Sequence, residues 1–179
     1  MRKIMLLTAA PGTGKTTAVQ KIMNHLGIQN CGGFYTREIK NHEGQRTGFE
    51  CITLDGVKVR LADIYSDSQI RLSRYGLDIK GFEEIAIAAM EESLKTKQVL
   101  IIDEIGPMQF FSEKFKQVLD TVFGSEKIVI GTIFFDSHPE IDNIKKNKYI
   151  QLYELTEENR DFLPNEIVAK VRENLAAME

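Results

Sequence analysis

Ile4 to Thr17 reads IMLLTAAPGTGKTT, a short apolar run that breaks into a Pro/Gly turn and then into a Lys-Thr-Thr sequence. The run predicts a buried strand over Ile4–Thr8, and the helical spacing of Ala18, Val19, Ile22 and Met23 predicts a helix from about Thr16 to Leu26. Between them, Ala9 to Thr16 matches GxxxxGK[ST], with Ala9 at the position of the first glycine. Gly12 and Gly14 let the backbone fold into a nest of inward N–H groups, and the start of the helix adds partial positive charge. Lys15 is a flexible point charge suited to β- and γ-phosphates, and the Thr16 hydroxyl is placed to ligate Mg²⁺. Strand, phosphate loop and helix in this order point to an α/β nucleotide-binding fold. Alanine at position 9 is compatible with such a loop if its φ is negative.

Outward from this stretch, Cys31–Ile39 and Gly48–Leu54 read as an antiparallel hairpin around the polar Asn41–Arg46, with a third short strand near Val57–Leu61. Residues from about Asp63 to Gly81 show no sustained period and read as a loop with at most one turn of helix, the most mobile part of the chain. Helical spacing returns over Phe82–Lys97. Further on, helices at Ser112–Phe123 and His138–Lys146 alternate with strands at Val99–Ile102, Ile128–Ile133 and Tyr149–Tyr153, and Pro164 falls in the first turn of a last helix. Apolar runs alternating with helices predict a mostly parallel sheet with helices on both faces and an inserted antiparallel hairpin.

The strand VLIIDE, Val99 to Glu104, ends in two carboxylates. Strand ends converge on the ligand crevice of a parallel sheet, so Asp103 is expected beside the Mg²⁺ and Glu104 beside a water in line with the γ-phosphate. A glutamate next to the metal-side aspartate suits activation of water, whereas transfer to a metabolite needs water excluded and an acceptor pocket built. Hydrolysis therefore leads; a small-molecule or nucleoside kinase, and a nucleotide-dependent RNA- or protein-binding switch, are the alternatives. Asp103 to Gly106 also reads DxxG, yet the guanine-reading NKxD is missing, because Asn147-Lys148 is followed by Tyr149-Ile150.

The chain has 179 residues and 23 Lys plus Arg against 26 Asp plus Glu, a formal charge of −3. A chain of this length buries about 70% of its unfolded surface, so one domain over 1–179 needs no disulfide. The charge balance gives no strong nucleic-acid or anionic-membrane signal, and no run approaches the roughly 18 apolar residues of a membrane helix. Cys31 and Cys51 have no metal spacing and read as reduced core thiols, which points to a cytoplasmic protein. Arg37, Arg46 and Arg74 are solvated charges that could also approach a γ-phosphate. His138, before Pro139, reads as a helix start, and Phe134 and Phe135 as packing residues with a base platform as the second reading.

The phosphate loop, GGFYTREIK (Gly32–Lys40), RTGFECITLDG (Arg46–Gly56), RYGLD (Arg74–Asp78), VLIIDEIGPM (Val99–Met108), His138-Pro139 and LTEENRDFLP (Leu155–Pro164) together resemble the thermophilic-type nucleoside-triphosphatase family, which includes the cancer-related nucleoside-triphosphatase. The resemblance runs nearly end to end. It implies a RecA-like core that hydrolyses the γ-phosphate of several nucleoside triphosphates, ATP and GTP among them, slowly and with Mg²⁺. It also implies nucleotide contacts from Ala9, Ala10, Pro11, Gly12, Thr13, Gly14, Lys15, Thr16 and Thr17. A second set would come from Val99, Leu100, Ile101, Ile102, Asp103, Glu104, Ile105 and Gly106. Ala9 departs from the family's usual glycine, and Phe134-Phe135 from a stretch that is often more polar.

Overall fold

The computed structural model describes residues 1–179. The strand β1 (Ile4–Thr8) is buried along its whole length, and its side chains alternate between two cores: Ile4 and Leu6 face one, Met5 and Leu7 the other. Helix α1 (Lys15–Leu26) starts after Gly14 at φ 105° and stops at Gly27 at φ 85°, two positions that favour glycine. The chain continues through β2 (Cys31–Lys40), β3 (Arg46–Thr53), β4 (Lys58–Asp63), β5 (Arg71–Leu72) and β6 (Tyr75–Leu77). A long helical stretch follows, made of α2 (Ile79–Phe82), a π-helical segment at Glu83–Ile87 and α3 (Ala88–Thr96). The remainder alternates: β7 (Val99–Ile105), α4 (Glu113–Phe123), β8 (Ile128–Ile133), α5 (Pro139–Lys145), β9 (Ile150–Glu154) and α6 (Leu163–Ala176).

These strands form one nine-stranded sheet in the order β5-β6-β4-β3-β2-β7-β8-β1-β9. Helices α1 and α6 cover the face of Met5 and Leu7 through Val19, Ile22, Ile167 and Val171. The other face is covered by Phe82, Ile87 and Met90 of the long helical stretch and by Phe115, Leu119 and Val122 of α4. Three rings, Phe34, Phe82 and Phe115, meet there edge to face or tilted at 5.6–6.5 Å, the geometry that aromatic quadrupoles favour. The helix starts are capped as their sequences suggest. Ser112 Oγ accepts from the Phe115 N–H at 3.0 Å, and His138 caps α5 with Pro139 in its first turn.

The expectation of a mostly parallel sheet does not hold. The pairs β1·β8, β1·β9, β2·β7 and β7·β8 are parallel, but β2·β3, β3·β4, β4·β6 and β5·β6 are antiparallel, so the sheet is mixed in equal parts. Two physical facts produce this. First, β2 changes partner: Cys31–Phe34 pairs with β7, whereas Phe34–Lys40 pairs with β3 and runs on past the β7 pairing, so the hairpin is continuous with the sheet. Second, the stretch 63–81 is not a bare loop. Its backbone is tied by Asp78 N–H to the Leu61 carbonyl and Leu77 N–H to the Ile70 carbonyl, and Tyr75, Leu77 and Ile79 are buried. The result is an antiparallel arm that rises beyond the carboxyl edge of the parallel core.

The partner change turns on Gly33, which has φ 94° and donates its N–H to Ser93 Oγ at 2.9 Å. A Cβ there would run into the carbonyl oxygen of Ile101 on β7, and rigid central-strand backbone cannot yield. Gly33→Ala is expected to lower the unfolding free energy by about 3 kcal/mol or more, combining the positive-φ cost with overpacking. Urea denaturation followed by circular dichroism checks this.

Candidate functional site

A cavity of about 920 Å³ opens at the carboxyl edge of the parallel strands. It is bounded by the phosphate loop on one side, the ends of β7 and β8 in the middle and the antiparallel arm on the other. Every residue from Ala9 to Thr17 lines it. Gly12 at φ 81° and Gly14 at φ 105° supply the conformations that a nest of inward N–H groups requires, and a Cβ at either would meet no other atom of the chain. Ala9 is 2% exposed and packs into the core beneath the loop, and its φ is not positive, so alanine fits where the pattern has glycine.

Lys15 Nζ reaches across β8 and donates to Glu104 Oε2 at 2.6 Å, with the Ile133 carbonyl at 3.5 Å. The two side chains are 19% and 28% exposed, so the pair stands half out of water at the cavity floor. Asp103 is 1% exposed. Its Oδ1 accepts from the Thr132 hydroxyl at 2.6 Å, and its Oδ2 accepts from the Thr36 N–H at 3.3 Å. Burial is the largest influence on this carboxyl and pushes its pKa up to about 6; the Thr132 hydroxyl pulls it back down, and the neighbouring Glu104 charge adds to the rise.

The structure divides the residues read from the second motif. Asp103 and Glu104 line the cavity, whereas Val99, Leu100, Ile101, Ile102 and Ile105 are buried in the two cores and Gly106 does not line it. The apolar stretch thus sets the two acids at the cavity. Of the three arginines, Arg37 and Arg46 line the arm side of the cavity, ion-paired to Glu50 and Glu38. Arg74 does not; its guanidinium donates to the Arg46 carbonyl at 2.9 Å. Phe134 and Phe135 both line the cavity. Burial pushes the Cys31 thiol up to about 11 and the Cys51 thiol higher, and both are free, which makes them inert core groups.

Three contacts escape sequence reasoning. Thr132, a polar residue inside the apolar strand IVIGTI, carried a signal, since a buried hydroxyl needs a partner. Thr36 acts through its backbone amide, which no residue type announces. Arg160, from the segment after β9, donates to the Thr13 carbonyl of the phosphate loop at 3.4 Å across 147 residues of sequence.

The sequence profile of the family described as NTPase matches residues 4–168. The nucleoside-triphosphatase THEP1 of Thermotoga sp. strain RQ2 is 41% identical over 170 residues, covering 95% of this chain and 96% of that protein. The crystal structure of THEP1 from the hyperthermophile Aquifex aeolicus superposes with a TM-score of 0.83 at 36% identity, covering 94% of this chain and 98% of that one. The solution structure of a human cancer-related nucleoside triphosphatase superposes with a TM-score of 0.80 at 30% identity over 97% of this chain and 98% of that one. The chain belongs to this nucleoside-triphosphatase family.

The burial of Asp103 has a thermodynamic signature. With a folded pKa near 6 against an ordinary 3.8, the native state holds this proton more tightly than the unfolded chain does. The stability it contributes is complete below about pH 4 and is lost as pH rises through about 6. Asp103→Asn stays neutral and keeps both hydrogen-bond positions occupied. In EDTA it is expected to be more stable than wild type at pH 8 by up to about 3 kcal/mol, with the gap closing at pH 4. Urea unfolding at the two pH values reads the difference directly.

Proposed function

We propose that this chain is a Mg²⁺-dependent nucleoside-triphosphatase, a single RecA-like domain over 1–179 that cleaves ATP, GTP and other triphosphates to the diphosphate and phosphate. One observation carries the reading: the phosphate-loop lysine and the two strand-end acids converge on one cavity, with Lys15 and Glu104 in direct contact across an intervening strand. The strand order β2-β7-β8-β1-β9, with β8 between the loop strand and the acid strand, supports the RecA-like assignment. Two buried free thiols fit a reducing, cytoplasmic setting.

The donor set fits Mg²⁺. Asp103 offers a carboxylate that burial leaves poorly stabilised as an anion, Thr16 lines the same cavity, and both give hard oxygen. An Mg²⁺ ion of this kind is held by one or two protein oxygens together with substrate phosphates and water. When bound, the ion supplies Lewis-acid charge for the phosphate oxygens. The protein supplies the rest. Loop amides and Lys15 hold the β- and γ-phosphates, and those oxygens compete with Glu104 for the ammonium. Substrate binding thereby releases the Glu104 carboxylate to orient a water and accept its proton as the new O–P bond forms and the β–γ bridging bond breaks.

The acids mark the γ-end of the substrate, on the β7 side of the loop. The base then lies at the other end, on the β9 side, where Arg160 flanks Thr13. A guanidinium there offers a face that any base can stack on, which suits loose base selectivity.

Glu104→Gln keeps volume and a hydrogen-bonding carbonyl but removes the base. Turnover is expected to fall roughly 10²- to 10⁴-fold, with Mg·NTP binding retained or slightly tighter. Single-turnover kinetics on folded protein test this; a chemical step within threefold of wild type removes Glu104 from the mechanism. Phosphate release from ATP, GTP, CTP and UTP should span no more than about 30-fold in kcat/KM, because the reacting groups touch only phosphate and metal.

A further inference from the structure

The cavity is larger than hydrolysis requires. Small-molecule sites run from about 300 to 1,000 Å³, and this one, at about 920 Å³, stands near the top of that range. A triphosphate chain accounts for the part between the phosphate loop and Glu104. Sheet order places the remainder. Reading across from β9, the base end comes first, then the loop on β1, then the acids on β7, and only beyond them the arm strands β2, β3, β4 and β5. The surplus volume therefore lies past the reacting end of the nucleotide, on the side from which an attacking group must approach the γ-phosphorus.

That far part has the character of a ligand site. Phe49, Leu61 and Leu72 come to it from the arm, and Met108 and Phe134 from the loops that follow β7 and β8. Phe49 carries the Arg46 guanidinium 5.3 Å above its ring. The cations at the rim already have partners: Arg37 with Glu50, and Arg46 and Lys40 with Glu38 at 3.5 and 3.6 Å. The three cations share two carboxylates at the rim, and it is the apolar side chains beneath them that suit an uncharged flat ring. Glu104, at the boundary between the two parts, can take a proton from an alcohol as readily as from water.

We propose that the arm side of the cavity is a phosphoryl-acceptor site for an uncharged, ring-bearing alcohol of nucleoside size. In the transfer, the acceptor oxygen forms a bond to the γ-phosphorus, the β–γ bridging P–O bond breaks, the nucleoside diphosphate leaves with that electron pair, and Glu104 receives the hydroxyl proton. Water takes the same place when no acceptor is bound, and an acceptor ring against the apolar wall excludes it. This rests on the nucleoside-triphosphatase reading of the same site and extends it to a second substrate.

The test incubates the full chain with Mg·ATP and each of the four ribonucleosides or 3-pyridylmethanol at millimolar concentration, with glycerol as the ring-free alcohol. ADP, free phosphate and phosphorylated acceptor are quantified by mass spectrometry. For at least one ring-bearing alcohol, free phosphate is expected to fall to half of ADP or less, with the balance recovered as the phosphomonoester, while glycerol leaves the ratio at one. Phe49→Leu should release ADP without acceptor within twofold of wild type and raise the half-saturating acceptor concentration at least tenfold. Equal phosphate and ADP with all five ring-bearing alcohols overturns the acceptor site and leaves the hydrolase reading intact. Absence of ADP under every condition overturns both. A Phe49→Leu protein that transfers with unchanged acceptor dependence overturns the placement on the arm side.

Discussion

The carboxylate of Asp103 stands almost out of water at the end of a central strand, tied on one side to the Thr132 hydroxyl and on the other to the Thr36 amide. Those two bonds fasten β7 to both of its neighbours at the level where the site begins. Thr132 belongs to β8 and Thr36 to the stretch of β2 that has already left β7 for β3. A buried anion with so few donors is unfavourable by itself, which is why burial raises the Asp103 pKa. Glu104, one residue later, points into the open cavity and meets Lys15. Two adjacent acids thus occupy different dielectric surroundings, the difference on which the proposed division of roles between them rests.

The cavity itself follows from the dual pairing of β2. A parallel core alone ends in a shallow crevice at its carboxyl edge, as open α/β sheets do. Here a ten-residue strand contributes its first residues to the core and its later ones to an antiparallel arm, so the same backbone that floors the site also walls it. The arm sets Phe49 and Leu72, backed by the fully buried Leu61, opposite the loops after β7 and β8, which deepens the crevice while leaving it open to solvent.

The positions of the loop Ala9–Thr17, of the acid pair and of most elements were legible because their signals are local: glycines at fixed offsets, a charged pair ending an apolar run, caps such as Ser112 and His138. The arm was legible only as far as Leu61. Strands of two and three residues such as Arg71–Leu72 and Tyr75–Leu77 have no period to read, and they exist because Asp63 and Ala62 of β4 offer an edge to pair with. The parallel character of the sheet was overestimated for the same reason, since each hidden strand was antiparallel. Contacts made by backbone atoms, like that of Thr36, and by residues far along the chain, like Arg160, leave no mark in composition or spacing. Ala9 reads as a defect in the motif, yet its side chain packs against the core beneath the loop.

The shared strand also governs how this molecule can drift in length over evolutionary time. The hairpin tip at Asn41–Gln45 closes on itself through the Asn41 and Gln45 backbone bond and carries exposed side chains, so residues added or lost there change nothing that faces the cavity. A single residue inserted between Tyr35 and Thr36 is another matter. Side chains alternate along a strand, so the insertion would turn Arg37 and Glu38 each to the face opposite its present one and shift Thr36 away from Asp103 at the same stroke. Length variation among such chains should therefore gather at the tip of the arm, near the irregularity already present at Ile39 and Lys40, and be absent from the start of the strand.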